Sequence, residues 1–231
     1  MEKDQNILPE RKIRSFVRRS GRITALQKNA LEQFAEKYEL KTTGEPFDFN
    51  AIFDNNNPVV VEIGFGNGVS LAQMAQENPD ENFFGIEVHR PGIGKLMALA
   101  DEFGLHNLRV IEADAVDILE KNIQPDSLKR LQLYFPDPWP KKRHHKRRIV
   151  SPEWVELVAK RLKPGGVLHM ATDWQNYAEQ MLEVMSASAL YKNSAGENQY
   201  ASRPNYRPKT KFEKRGERLG HGVWDLIFKK V

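Results

Sequence analysis

From Pro58 onward, short apolar runs alternate with amphipathic segments, and this alternation restricts the fold more than any other feature of the sequence. The pattern predicts strands over 59–63, 82–88, 108–112, 128–135 and 167–171. It predicts helices over 69–76, 94–103, 116–121, 152–162 and 175–188. Such alternation of strands and helices favours an open, mostly parallel sheet with helices on both faces.

The two ends of the chain follow a different pattern. Thr24 and Gln27 fit a capping box, and helical spacing of apolar residues continues to about Leu40. Residues 41–57 are predicted to form a loop. Residues 190–192 and 223–229 are predicted strands, with a polar loop and a short helix between them.

The composition excludes several classes of protein. The 231 residues include no cysteine, so disulfides, thiolate metal sites and cysteine nucleophiles are excluded. No apolar run approaches the length of a membrane span, and the first residues lack the apolar stretch of a signal peptide. We therefore expect a cytoplasmic protein with no membrane association.

The charge of the chain is concentrated in three basic segments. The formal net charge is only +4, but cations cluster at 11–22, 141–148 and 203–218. One such segment is ordinarily a solvated loop, whereas three favour an anionic polymer as the partner.

A glycine-rich turn follows the first strand of the alternating region. Gly64, Gly66 and Gly68 stand between a strand and a helix, where a ligand can approach the backbone closely. The spacing does not match a dinucleotide site, because position 69 is Val. Glu62, just before the turn, would repel a pyrophosphate and suits a ligand that carries an amine or a sulfonium charge.

Two further acids stand at the ends of the next two strands. Glu87 can accept hydrogen bonds from two ribose hydroxyls, and Asp114 can accept one from an adenine amino group. The alternative is that both are ordinary acids at strand ends. Together with the glycine turn they predict a site for S-adenosylmethionine.

The segment 134–148 combines a carboxylate, an aromatic ring and a run of cations. Asp137 lies between two prolines, Trp139 follows, and 141–148 contains six cations and two histidines. The segment can hold a base beside a carboxylate and bind a phosphate backbone next to it. Asp137 could instead be a turn residue, and Trp139 could pack under the loop. A metal site at the two histidines is rejected, because no third ligand stands at a suitable spacing.

These motifs resemble those of the class I methyltransferases, specifically the bacterial tRNA (guanine-N7)-methyltransferases. The matching segments are 62–68, 85–90, 135–148, 172–173, 210–213 and 220–225. The resemblance implies a Rossmann-like α/β fold with a seven-stranded sheet, mostly parallel with an antiparallel C-terminal strand. It implies a basic N-terminal extension, partly mobile with one helix, over 1–45 and a methyltransferase domain over 46–231.

The resemblance also assigns functional positions. Asp137 corresponds to the active-site acid and, with Glu62, Glu87 and Asp114, to the cofactor contacts. The implied substrate contacts are Lys141, Asp173, Thr210, Lys211, Phe212 and Glu213. The implied RNA contacts are Arg143, His144, His145, Lys146, Arg147 and Arg148. Without the resemblance, Asp173 would be interpreted as a helix cap and Glu213 as an exposed acid.

The implied reaction is methyl transfer from S-adenosylmethionine to N7 of the guanine at position 46 in the variable loop of tRNA. N7 carries a lone pair and no proton, so no general base is required. Three carboxylates, Asp137, Asp173 and Glu213, can accept from guanine N1–H and its exocyclic amine and can tolerate a cationic product. The N-terminal segment could order on tRNA, so removal of residues 1–22 should weaken tRNA binding more than cofactor binding.

Three alternatives remain at the level of sequence. The chain could methylate another nucleic-acid position, although adenine-N6 enzymes usually carry a second proline where Trp139 stands. It could be an RNA-binding module with a vestigial cofactor fold, which the intact glycine turn disfavours. It could be a nicotinamide-dependent oxidoreductase, which the glycine spacing disfavours. The oligomeric state is left open.

Overall fold

The computed structural model describes residues 14–16, 22–210, 213 and 222–231. Most of the predicted mobile N-terminus therefore lies outside the described residues. Lys211, Phe212 and residues 214–221 lie outside them too. Among the helices of the described part, none is long and apolar enough to cross a bilayer.

Within the described ranges, seven strands form one sheet, as predicted. They are β1 (Val59–Ile63), β2 (Asn82–Glu87), β3 (Leu108–Glu112), β4 (Leu128–Tyr134), β5 (Leu162–Thr172), β6 (Tyr191–Asn193) and β7 (Trp224–Lys230). Their order across the sheet is β3-β2-β1-β4-β5-β7-β6. The first five strands are parallel to one another, and β7 runs antiparallel between β5 and β6. The predicted sheet with its antiparallel C-terminal strand is confirmed.

Helices cover both faces of this sheet. They are α1 (Ala25–Tyr38), α2 (Phe49–Phe53), α3 (Val69–Glu77), α4 (Arg90–Glu102), α5 (Ala115–Lys121), α6 (Pro152–Arg161) and α7 (Gln175–Ser186). The apolar residues of α1, α3 and α4 share one core with the sheet, and those of α2, α5, α6 and α7 share the other. Strands β1 to β5 contribute side chains to both cores, because successive side chains of a strand point to opposite faces of the sheet.

Three local predictions differ from the structure. The predicted loop 41–57 contains α2, which Asp48 caps and whose buried Phe49 and Phe53 pack in the core. Helix α4 begins at Arg90, four residues earlier than predicted. Its first turn packs so closely on the glycine turn that a Cβ at Gly92 would lie 2.0 Å from the Gly66 carbonyl oxygen. Strand β5 begins at Leu162 rather than after the glycine turn, with an irregular register against β4.

The first helix packs closely on the sheet domain. Its predicted capping box between Thr24 and Gln27 is present. A Cβ at Gly94 of α4 would lie 2.6 Å from the Gln27 carbonyl oxygen, and the Leu40 N–H donates to the Val110 carbonyl oxygen over 2.8 Å. The division of the chain near residue 45 stays a prediction.

The order of the strands locates a binding crevice. From β1 the chain proceeds to β2 and β3 on one side, and it then returns to β4 on the other side. The loops that leave β1 and β4 therefore diverge above the sheet. Open α/β sheets bind ligands in such a crevice, at the carboxyl ends of the strands.

Candidate active site

A cavity of about 620 Å³ lies at this crevice, walled by the loops that follow β1, β2, β3 and β4. The sequence-predicted residues on its wall are Gly64, Gly66, Glu87, Asp114 and Asp137. Ser15 and Phe16 also line it. Sequence reasoning missed these two, because nothing local distinguishes them within a polar, basic segment. Removal of residues 1–22 would take away part of this wall, so we now expect it to affect cofactor binding as well.

The glycine turn needs its glycines for backbone conformation and for space. Gly64, Gly66 and Gly68 have φ values of +72°, +59° and +69°, which favour glycine. A Cβ at Gly68 would lie 2.6 Å from the Leu96 Cβ, so α3 and α4 could not pack as they do. A Cβ at Gly64 or Gly66 would meet nothing within 4 Å. A side chain there would occupy space that the turn leaves open for a ligand.

Glu87 and Asp114 are fixed by backbone groups at the cavity wall. Glu87 accepts from the Gly66 N–H through Oε2 over 2.8 Å and from the Val88 N–H through Oε1 over 2.7 Å. Asp114 caps α5 and accepts from the Val116 N–H over 3.1 Å. A carboxylate oxygen has two lone pairs, so both groups retain acceptor capacity. The turn and the two acids are suitably placed and retain the acceptors to hold the ribose and adenine of S-adenosylmethionine.

Glu62 lies beneath the glycine turn rather than on the cavity wall. It is 4% exposed, and its Oε2 has no hydrogen-bond partner among the described residues. Burial, aided by the nearby Glu87 charge, raises the pKa of Glu62 to about 8. The carboxyl is therefore mostly protonated at neutral pH, which corrects the interpretation of Glu62 as a charged group facing a sulfonium or an amine.

Glu62→Gln is expected to gain stability relative to the wild type as the pH rises from about 5 to about 9. In the unfolded wild type, Glu62 releases its proton with a pKa of about 4.3, whereas in the folded protein it keeps the proton up to a pKa of about 8. The stability of the wild type therefore falls as the pH rises between these two values. Glutamine does not ionise, and the gain should be on the order of 4 kcal/mol. Urea unfolding of the cofactor-free proteins at both pH values measures it. Exposed Glu32→Gln serves as the control, and a pH-independent difference would contradict the protonated state.

The loop after β4 is held in an unusual backbone conformation. Phe135 and Trp139 have φ values of +51° and +46°, which cost roughly 1–3 kcal/mol each for such residues. Phe135 donates its N–H to the Ala171 carbonyl oxygen over 2.8 Å, and Arg148 donates through Nε to the Pro138 carbonyl oxygen over 2.8 Å. These contacts hold the loop so that Asp137 is exposed at the rim of the cavity.

Trp139 packs within the loop. Its Nε1 donates to the Ser15 carbonyl oxygen over 3.1 Å, and the Arg147 guanidinium lies 4.8 Å from its ring centroid. The His144 ring meets it edge-on at 5.9 Å. Of the two interpretations of Trp139, packing is therefore the one seen in the structure. Arg147 and His144 are half-buried by the same contacts.

Arg148 does not face solvent, contrary to its predicted role as an RNA contact. It is 5% exposed, and it donates to Pro138, Gln180 and Asn176 over 2.8, 2.5 and 2.9 Å. Its guanidinium also lies 4.6 Å from the Tyr177 ring centroid. We correct the prediction for this residue: Arg148 attaches the Asp137 loop to α7.

The remaining cations of this segment present a basic surface next to the cavity. Residues Lys142–Arg147 form a 3₁₀ helix, a longer run than is usual for that structure. Lys141, Lys142, Arg143 and Lys146 are exposed on it, and His145 is half-buried. Partial desolvation and the surrounding cations lower the pKa of His144. Among the described residues, no group of three His, Asp or Glu side chains could hold a metal ion.

Asp173 lines a second cavity, of about 620 Å³. Tyr134 at the end of β4 pairs with Ala171 at the end of β5, so the loops that carry Asp137 and Asp173 leave neighbouring strands. Asp173 is exposed, and α7 begins at Gln175 without a side-chain cap. The alternative interpretation of Asp173 as a helix cap is therefore wrong.

Glu213 is buried, which corrects its interpretation as an exposed acid. It is 3% exposed and binds Arg207 with both carboxylate oxygens, over 2.6 and 2.8 Å. Thr210 and Glu213 exchange two hydrogen bonds between side chain and backbone, over 3.1 and 3.2 Å. Sequence reasoning missed Arg207, which stands in a basic segment with no local sign that it is buried.

The chain is similar to known proteins along almost its whole length. A family model described as "Putative methyltransferase" matches residues 56–226. A tRNA (guanine-N(7)-)-methyltransferase of Alcanivorax borkumensis is 57% identical over 220 residues, which are 95% of this chain and 92% of that protein. A protein of the same name from Yersinia enterocolitica is 56% identical over 229 residues, 99% of this chain and 96% of that protein. The crystal structure of the 16S rRNA methyltransferase KamB has a similar fold, with a TM-score of 0.59 and 19% identity, and the match covers 84% of this chain and 98% of that chain.

Proposed function

Because the chain belongs to the bacterial tRNA (guanine-N7)-methyltransferases, a family of class I methyltransferases that use S-adenosylmethionine, we propose that it methylates N7 of the guanine at position 46 in the variable loop of tRNA. The observation that carries this proposal is the position of Asp137. It stands at the rim of the cofactor cavity, and the exposed cations that begin at Lys141 follow it in the chain after Pro140.

The proposed residues divide between the cofactor and the RNA. The glycine turn, Glu87 and Asp114 would hold S-adenosylmethionine, with Glu62 supporting the turn from beneath. Lys141, Lys142, Arg143 and Lys146 would contact phosphates, because they are exposed on one short helix. Arg148 is excluded from this group, since it is buried and its Nε, Nη1 and Nη2 atoms each donate a hydrogen bond inside the protein.

The reaction needs guanine N7 aligned with the methyl group and an electrostatic environment that favours the cationic product, but it needs no general base. When bound, S-adenosylmethionine supplies an electrophilic methyl group on a cationic sulfur. Guanine N7 carries no proton to remove, so the protein's task is to orient the base and to tolerate its positive charge after transfer. Exposed Asp137 and Asp173 lie at the ends of adjacent strands and can accept from guanine N1–H and its exocyclic amine.

The shape of RNA limits where the target guanine can lie. In an A-form helix, N7 faces a deep and narrow major groove that side chains cannot enter. A guanine in a variable loop avoids this barrier once its tertiary contacts open. The basic surface beside Asp137 suits the phosphates on either side of such a nucleotide. With such a substrate, we expect the activity in the cytoplasm.

The decisive experiment is methyl transfer from labelled S-adenosylmethionine to an unmodified tRNA transcript, with the product nucleoside identified by mass spectrometry. The control is the same transcript with the position-46 guanine replaced by adenine. We expect label in 7-methylguanosine, lost in the control. Label in another nucleoside would refute the proposed target, and an inactive protein that still binds S-adenosylmethionine by calorimetry would refute this choice of RNA.

A further inference from the structure

Arg207 is a fully buried cation between two buried carboxylates. It is 1% exposed and donates to Asp225 through Nε over 2.8 Å and through Nη2 over 2.9 Å. It donates to Glu213 through Nη1 over 2.8 Å and through Nη2 over 2.6 Å. A guanidinium has five N–H groups in a fixed plane, and these bonds use four of them.

A chain of hydrogen bonds continues from Asp225 to the end of β4. Asp225 lies 2.8 Å from Nε2 of His169, and Nδ1 of His169 lies 2.8 Å from the Tyr134 hydroxyl and 3.0 Å from that of Tyr206. Burial lowers the pKa of His169, so the ring is neutral at physiological pH. Its Nε2–H then donates to Asp225, and Nδ1 accepts from a tyrosine hydroxyl.

The same guanidinium also supports the loop that carries Asp137. It lies 5.7 Å from the ring centroid of Tyr134 and 5.8 Å from that of Phe135. Both residues line the cofactor cavity, whereas Arg207 does not. Asp137 follows Phe135 by two residues, so any shift of these rings would move the carboxylate at the rim.

The arrangement requires the shape of arginine as well as its charge. A buried ion pair contributes little net stability over a well-packed apolar replacement, so the network is weakly explained by stability alone. A planar fork that binds two carboxylates sets their relative orientation, which the point charge of a lysine cannot do. Arg207 joins the segment of Thr210 and Glu213, strand β7 and the end of β4.

We propose that Arg207 is a positioning residue for methyl transfer, which sets the Asp137 loop relative to Thr210 and Glu213. The inference rests on the proposed function and adds to it a residue outside the cavity wall. It predicts that changes at Arg207 reduce the rate of the chemical step more than the binding of either substrate.

The test compares Arg207→Lys with Arg109→Lys, a matched change at a half-buried arginine near the opposite end of the sheet that donates to backbone carbonyls. We expect kcat of Arg207→Lys to fall by about 10²-fold, because small misplacements of reacting groups have effects of that size. Dissociation constants for tRNA and S-adenosylmethionine, from filter binding and calorimetry, should stay within about threefold. Arg109→Lys should keep kcat within about twofold.

Asp225→Asn is the second variant, because it keeps the shape of a network partner and is less disruptive if Arg207→Lys does not fold. Its kcat should fall about tenfold or more with both dissociation constants kept. Folded variants with wild-type kcat, or a loss fully accounted for by the unfolded fraction in a thermal melt, would overturn the inference. Wild-type protein assayed in parallel separates the two claims: if it transfers no methyl group to tRNA, the proposed function itself fails.

Discussion

Asp137→Asn is expected to lower kcat for tRNA methylation by about 10²-fold or more, with tRNA affinity changed by less than about threefold. The substitution keeps the size of the side chain and removes its charge. Asp137 is exposed at the cavity rim, so the fold should not depend on it. The lost charge would matter where the guanine becomes cationic, which happens during transfer and not in the bound ground state. Single-turnover methylation with saturating enzyme measures the effect, and Asp137→Ala should lose at least as much.

Asp80→Asn is the matched control, because Asp80 is an exposed acid in the turn before β2, away from the cavity. It should keep the wild-type rate. Wild-type turnover in Asp137→Asn would refute the assigned role. Calorimetry with S-adenosylmethionine distinguishes a role toward the guanine from a role toward the cofactor. If the affinity for S-adenosylmethionine falls in parallel with the rate, Asp137 is mainly a cofactor contact.

The sheet could be predicted because its signals are local. Strands β1 and β3 have the predicted bounds, since each is a short, mainly apolar run that starts directly after a turn-forming residue, Pro58 or Asn107. Helix α2 was missed because its formation depends on Phe49 and Phe53 reaching the core, which five residues of sequence do not reveal. The 3₁₀ helix was missed because a run of cations has no apolar periodicity.

The cofactor cavity could be predicted for a topological reason. Parallel strands bring their carboxyl ends to one edge, so acids after β2 and β3 meet the glycine turn after β1. The environment of individual charged groups could not be predicted in this way. Glu62, Arg148 and Glu213 are all buried, because their surroundings come from distant parts of the chain. A charged residue in a polar segment is normally exposed, and only tertiary structure identifies the exceptions.

Lys142→Glu combined with Lys146→Glu is expected to weaken tRNA binding by about 10²-fold at low salt. Both side chains are exposed on the 3₁₀ helix beside Asp137, so they can approach phosphates without any rearrangement of the core. Because the variant makes two fewer phosphate contacts, its binding releases fewer counterions from the RNA. The slope of log K against log salt should therefore become shallower by roughly 1.5–2. Filter binding over a salt series measures both quantities. S-adenosylmethionine affinity should not change, because neither residue lines the cavity.

The control for this charge reversal must change the net charge equally without touching the proposed RNA surface. Lys121→Glu with Lys163→Glu does so, since Lys121 ends α5 and Lys163 is the second residue of β5. Both are exposed and lie at the opposite edge of the sheet from Asp137. If RNA meets a local surface, the control should keep nearly the wild-type salt slope. Equal losses in the two double variants would instead indicate attraction by overall charge, and the 3₁₀ helix would no longer be the RNA contact.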